Sequence, residues 1–478
     1  MSQTSPVSEI APSVPKLAPG PKGIPFFGSV FSAWRDPLGL MMRSRETYGD
    51  VVHFRFGPFD YYLVSDPEVV RHVLVDNAKA YTKSRNYAGL KLVLGEGLLT
   101  SEGAPWRRQR KLVQPAFHRA HLAGFAERMS RATRDMLERW RAEDLGTNRS
   151  FCVHEEMMRL TFRIVGLTLF SADVDGDARD VGRALDTALR WANDYVESII
   201  PIPPYIPTLA NLRFKAAMKT LDGIVYRLIA DRRAQAAANE GYGSDLLAML
   251  MEAVDEGGEA ADVRAGASGA GERMSDQQLR DEIITMVLAG HETTANLLSW
   301  TFSLLARHPD IEQRVRDEAM RVLGDREPAL EDIRSLEYTR LVLEEALRLY
   351  PPAWIFERQN VEPDVLGGYS LKAGSVVGIA PYVLHRHPAY WESPESFEPE
   401  RFRADRADKR PRYTYLPFGG GARTCIGNHF AMMEAQIILA MIVRQERLSL
   451  EPGRPIELEP LITLRPKQGV RVTRRSVL

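Results

Sequence analysis

Cysteine is almost absent from this chain: there are two in 478 residues, Cys152 and Cys425. So few exclude a disulfide framework and fit a reducing compartment, the cytoplasm. They also exclude a cysteine-rich zinc site, which needs about four ligands. An excess of charge of one sign is missing too. With 62 basic against 63 acidic residues, nothing marks nucleic acid as a partner. The first 15 residues are polar and contain proline and serine. They lack the apolar core of a signal peptide and a span of about 20 apolar residues, so no membrane anchor is expected. No long Pro/Ser-rich linker divides the chain. One low-complexity stretch, 255–271, is rich in glycine, alanine and acid and is expected to be an exposed mobile connection.

What is present is a large apolar fraction, 44% of residues, ample for a substantial core. Helix-period segments dominate. Short alternating strands are expected at 51–56, 61–64 and 376–379, which makes the fold mainly α with small β-sheets.

Cys425 sits in the setting Phe418-Gly419-Gly420-Gly421-Ala422-Arg423-Thr424-Cys425-Ile426-Gly427, ahead of the apolar run 430–443. Successive glycines allow a tight turn and close approach to a flat partner. Arg423 offers charge that favours a thiolate, and the start of the following helix favours an anion at the same spot. A free cysteine is more often an inert apolar residue, and a nucleophile paired with a histidine is a further alternative. Neither gives the glycines and Arg423 a joint role. An exposed thiolate held against a metal does.

A second segment reads as a buried helix. Ser275 and Gln278 have the spacing of a capping box, and apolar residues from Ile283 to Leu305 occupy most faces. Its middle, Ala289-Gly290-His291-Glu292-Thr293-Thr294, breaks local rules. Glycine costs about 1 kcal/mol relative to alanine, and a buried carboxylate is costly unless paired. Threonine hydroxyls bonding back to the preceding turn would account for a kink but not for Glu292. A zinc-protease pattern would need histidine at position 295, which is Ala295. Elsewhere, Trp106 and Arg110 lie i, i+4 after Pro105. Glu345 and Arg348 lie i, i+3 in an apolar helix, where a buried pair needs a third group.

In these positions the chain resembles the cytochrome P450 family of haem-thiolate monooxygenases. Phe418, Gly421, Arg423, Cys425 and Gly427 match its F-x-x-G-x-R-x-C-x-G signature, and 289–293 match A-G-x-[DE]-T. Trp106 and Arg110 match W-x-x-x-R, and Glu345 and Arg348 match E-x-x-R. All four occur in the family's order. The resemblance implies one haem domain over 21–478 behind a flexible 1–20 segment. It implies haem b (iron protoporphyrin IX) ligated by Cys425, where thiolate donation favours O–O cleavage. Trp106, Arg110, Arg358 and Arg423 would hold the propionates, and Phe418 and Gly427 would shape the cysteine loop. Ala289 and Gly290 would leave room for dioxygen. Glu292 and Thr293 would be catalytic, since heterolytic O–O cleavage needs two protons and an alcohol backed by a carboxylate is a reasonable relay. Glu345, Arg348 and Arg401 would form a structural lock.

The same resemblance places substrate contacts at Tyr87, Met286, Ala353, Phe356 and Ile462. These are mostly apolar, so a fatty acid, terpenoid, steroid or polyketide is expected. The turn Pro201-Ile202-Pro203-Pro204-Tyr205 would belong to a lid. No flavin or iron–sulfur segment is recognisable, so NAD(P)H would act only indirectly, through a ferredoxin or flavodoxin and its reductase. Lys409, Arg410, Arg412, Arg107, Arg108 and Lys111 would receive that partner, and the chain would be a monomer. A haem-thiolate peroxygenase or isomerase that does not use dioxygen is the alternative. A haem sensor or carrier without turnover is a third. Glu292 and Thr293 speak against both.

Overall fold

The computed structural model describes residues 16–147, 149–198, 200–240, 242–243, 245–252 and 274–477. The stretch 255–271 lies outside them, as do the first 15 residues. Among the described residues helices dominate, and small sheets pack at their margins.

The 30-residue helix Asp276–Leu305 runs through the interior. Its start is built as the sequence requires. Ser275 Oγ accepts from the Gln278 amide at 3.2 Å, and Gln278 Oε1 accepts from the Ser275 amide at 2.8 Å. Apolar residues on most faces let other helices surround it: Val153–Leu169, Leu209–Gln235, Glu337–Leu349 and Asn428–Gln445. The last of these follows the cysteine and is buried at every position from Met433 to Gln445. A helix so apolar on all sides has no solvent face. Cys152 lies in a two-residue strand, Phe151–Cys152, paired with Arg471–Ser476 and followed directly by the helix Val153–Leu169.

All three expected strands form, and one sheet unites them. Its order is Val51–Phe56, Phe59–Val64, Val376–Ile379, Phe356–Asn360, Tyr81–Lys83. The hairpin is antiparallel, Phe59–Val64 pairs in parallel with Val376–Ile379, and the remaining pairings are antiparallel. This sheet carries Arg358 and Lys83 toward the cysteine loop. A second feature, the hairpin of Leu458–Pro460 and Leu464–Pro466, brings its turn onto the central helix.

Glu345, Arg348 and Arg401 are brought together. Arg348 donates to both Glu345 oxygens, at 2.7 and 2.8 Å, and to the carbonyls of His385, Pro394 and Ser396. Arg401 Nε lies 3.3 Å from Glu345 Oε1, and the Glu398 amide donates to the same oxygen at 2.9 Å. Glu345 and Arg348 are completely buried. Charges so placed are tolerable because Arg348 donates to both Glu345 oxygens and to three carbonyls, and Arg401 adds a second cation beside the acid.

Candidate haem-thiolate site

The cysteine loop is pinned by its glycines. Gly421 has φ +67°, and a Cβ there would come within 2.2 Å of the Leu74 carbonyl oxygen. No other residue fits that approach. The Cys425 amide donates to the Phe418 carbonyl at 2.9 Å, and Thr424 Oγ1 to the Gly421 carbonyl at 2.7 Å. Gly427 then precedes the helix Asn428–Gln445.

The sulfur of Cys425 is exposed by surface area, yet enough protein surrounds it for burial to push the thiol pKa up. Both hold if the sulfur opens on an internal hollow. The central helix has matching openings. In an otherwise buried stretch Ala289 is exposed, and Gly290 and Thr293 are half-buried. Thr293 Oγ1 donates to the Ala289 carbonyl at 2.7 Å, the back-bond to the preceding turn that the two threonines suggested. Gly290 plays a different part from the one expected. A Cβ there would meet Val165 Cγ2 at 3.0 Å, so the glycine seats a neighbouring helix, and the room falls at Ala289.

The arginines divide their work. Arg110 Nη1 donates to the Thr424 carbonyl at 2.9 Å and is the cation whose charge lowers the Cys425 pKa, alongside the Gly427 amide. That role was expected of Arg423. Arg423 instead donates to Glu102 Oε2 at 2.5 Å and to the Ser101 carbonyl at 3.0 Å, with its guanidinium 3.9 Å from the Trp106 ring centroid. Arg358 lies in the sheet, donating to the Glu357 carbonyl at 2.9 Å.

One residue of this group was missed. Lys83 stands directly opposite Arg358 in the strand pairing, a like-charge pair that destabilises a sheet. Burial foremost, then Arg358 and Arg423, push its ammonium down to about 7. Glu102 is the carboxylate that faces these cations. A porphyrin fits the residues present: a thiol open to the hollow for iron, and an excess of clustered cations for two propionates. The signal for Lys83 was in the sequence, but only strand register sets it beside Arg358.

Glu292 is 4% exposed. Thr463 Oγ1 donates to its Oε1, and Asn296 Nδ2 donates to Thr463 Oγ1 at 3.2 Å. Burial raises the Glu292 pKa, with Thr463 and Arg465 opposing. Outward of it, Arg465 bonds Glu459 at 2.8 Å and Asp186 at 2.7 Å, and Arg190 bonds both acids. A further acid escaped notice inside the apolar run. Glu434 is completely buried, and burial drives its pKa well up, opposed by Thr294.

The expected substrate contacts separate. Ala353 and Ile462 are brought together, since Trp354 Nε1 donates to the Leu461 carbonyl at 2.6 Å and the Leu464 amide to the Pro352 carbonyl at 2.9 Å. Ala353 is exposed, and Ile462 and Phe356 are half-buried. Met286 is buried at 5%. Tyr87 lies among the cations, with Lys83 Nζ 4.4 Å from its ring centroid and the Arg358 charge opposing the rise that burial gives its phenol pKa. In the basic cluster, Arg107, Lys111, Lys409 and Arg412 are exposed. Arg410 is engaged inward, donating to the Arg401 carbonyl at 2.7 Å and lying 4.5 Å from the Trp391 ring centroid.

A thiol presented by a glycine-rich loop, with clustered cations beside it, defines a haem-thiolate protein. The cytochrome P450 family model matches residues 18–473, and the chain belongs to that family. It is a cytochrome P450 monooxygenase with haem b as cofactor, acting with redox partners and dioxygen on an apolar small molecule. It is 40% identical to the cyclooctatin synthase of Streptomyces melanosporofaciens, over 94% of this chain and 93% of that one. It is 34% identical to cyclooctat-9-en-7-ol 5-monooxygenase of the same organism, over 95% of each chain. With the pentalenene oxygenase of Streptomyces avermitilis it shares 33% identity, over 92% of this chain and 93% of that one. Among the described residues no helix is long and apolar enough to cross a membrane.

Proposed function

We propose that this enzyme, one haem domain over 21–478, oxygenates a cyclic terpene hydrocarbon or terpene alcohol in the cytoplasm. The names of its relatives and the apolar lining at Phe356 and Ile462 support that substrate class. Cys425 would ligate the iron, Phe418 and Gly427 would frame its loop, and Trp106, Arg110, Arg358, Arg423 and Lys83 would hold the propionates. When bound, the haem supplies reductive activation of dioxygen. The chain's own contribution is protons and positioning. Glu292, whose pKa burial raises, is an acid able to give a proton. Thr293 follows it on the same helix and is half-buried, and its Oγ1, oriented by the Ala289 carbonyl, would pass that proton on. Ala289 leaves space beside it.

The observation that carries this reading is the coincidence of Ala289 and Thr293 as openings on one buried helix, with an acid of raised pKa behind them. Thr293→Ala is expected to consume reductant and dioxygen at near-normal rates while product falls about tenfold or more. Product formation in proportion to reductant in that variant would remove the relay.

Electrons would come from NAD(P)H through a reductase and a ferredoxin or flavodoxin docking on Arg107, Lys111 and Arg412. Arg107 and Lys111 line a surface hollow of about 400 Å³ together with Trp106, Arg110 and His118. Lys111→Glu with Arg412→Glu should slow reduction by an acidic ferredoxin and flatten its salt dependence. Unchanged reduction kinetics would place docking elsewhere.

A further inference from the structure

The helix Tyr87–Leu94 has eight residues, too few to hold its place alone, since isolated helices below about 12 residues are marginal in water. Its start also lacks local support. Asn86 stands at the N-cap, a position its side chain would ordinarily serve, but no side-chain cap bond forms there. Asn86 Nδ2 donates instead to Glu357 Oε2 at 2.7 Å, and Ser84 Oγ donates to the same oxygen at 2.6 Å. The Arg85 amide donates to Gln359 Oε1 at 3.1 Å. Residues 84–86 are therefore tied to the strand Phe356–Asn360.

The other end is tied to the central helix. Gly95 closes the short helix at φ +62°, its amide on the Lys91 carbonyl at 2.9 Å. The Glu96 amide then donates to Asp281 Oδ2 at 2.9 Å, and the Leu98 amide to Glu282 Oε2 at 3.2 Å. The approach is close enough to require glycine twice. A Cβ on Gly95 would lie 2.1 Å from Asp281 Oδ2, and one on Gly97 would lie 2.2 Å from Thr285 Oγ1. Asp281 is itself held, accepting from Gln277 Nε2 at 2.8 Å and from Arg280 Nη1 at 3.0 Å. Between the two ties, Gly89 seats the helix against Ala178–Glu197, where a Cβ would meet the Ala192 carbonyl at 2.6 Å.

Both acids adjoin residues expected to contact the substrate. Glu357 follows Phe356 in the strand, and neighbours on a strand point to opposite faces. The acid and the apolar ring thus belong to one stiff piece. Asp281 lies little more than one turn before Met286 on the central helix. We infer, on the reading that Phe356 and Met286 face the substrate, that Glu357 and Asp281 are positioning residues for the oxygenation: they clamp the helix Tyr87–Leu94 at both ends and fix the wall it presents to a bulky apolar substrate.

The test compares two azole ligands of ferric haem on the full-length, haem-loaded protein. Imidazole needs little room, whereas clotrimazole carries a bulky triaryl body that needs the pocket walls. Glu357→Ala and Asp281→Ala should each weaken clotrimazole at least about tenfold, with imidazole affinity and the reduced carbon-monoxide spectrum unchanged. Hydrogen exchange of the 87–94 amides should quicken by a similar factor, while the helix Asn428–Gln445 exchanges as in the parent. Glu357→Gln keeps an oxygen for Ser84 and Asn86 and should restore both readouts. Unchanged exchange in both alanine variants overturns the clamp. Faster exchange with clotrimazole affinity unchanged overturns instead the substrate placement, because the helix would be held but would line nothing. Imidazole weakened as much as clotrimazole overturns the positioning role, since the acids would then support the haem site as a whole.

Discussion

Beneath the cysteine loop and along the central helix, buried polar groups are treated in opposite ways. Around Glu345 every charge is answered: Arg348 spends its donors on two carboxylate oxygens and three carbonyls, and Arg401 approaches the same acid. Along Asp276–Leu305, Glu282 Oε1, Thr285 Oγ1, His291 Nδ1, Asn296 Oδ1 and Ser303 Oγ are buried without a hydrogen-bond partner among the described residues. Glu434, on the helix packed against it, has only Thr294 to oppose the effect of its burial. Paired charges make a rigid part. A line of polar groups with spare bonding capacity, some neutral, suits a part that handles protons.

The contrast breaks first at Glu345. Glu345→Ala leaves Arg348 charged and buried, which should cost about 3–5 kcal/mol. Chemical denaturation should show that loss, with little haem retained in the purified protein. Stability near that of the parent would mean the lock is redundant. At Glu292 the prediction reverses. Glu292→Gln keeps the shape and the Thr463 contact, so the unfolding midpoint should stay put while product turnover falls about a hundredfold. A large stability loss there would make Glu292 a second structural acid.

The smallest effect belongs to Glu282, fully buried, which accepts from the Leu98 amide at 3.2 Å. Burial foremost raises its pKa to about 7. Between about 4.5 and 7 the folded state therefore holds a proton that the unfolded state has released. Stability is full below that window and declines as pH rises through it, by at most about 3 kcal/mol. Glu282→Gln should flatten this decline in denaturation curves taken at pH 5 and at pH 8. Parallel curves for the two proteins would show the acid to be better solvated than its surroundings imply.

The sequence made the chemistry legible where residues act on near neighbours in the chain. The capping box at Ser275, the glycine turn before Cys425 and the Glu345–Arg348 pair are local patterns whose partners sit within ten positions. Lys83, Thr463 and Glu102 could not be found that way, because each acquires its role from a strand, a hairpin turn or a helix start far along the chain. Arg423 shows the cost of that blindness. Proximity in sequence suggested that it tunes the thiol, whereas Glu102 claims its guanidinium and Arg110 takes over the charge effect. Glu434 was passed over because an apolar run hides a single acid, and Gly290 was read without knowing that Val165 would press against it.

Gly421 closes against the Leu74 carbonyl, and Arg423 reaches Ser101 across 322 residues of sequence. The metal pocket is therefore stitched from both ends of the polypeptide, and a nascent chain cannot offer a finished thiolate seat while its carboxyl end is still being made. Prosthetic-group capture must wait until these two distant segments have met. Its rate should follow the closing of that long-range seam, because loop closure is the slow event in topologies of this kind.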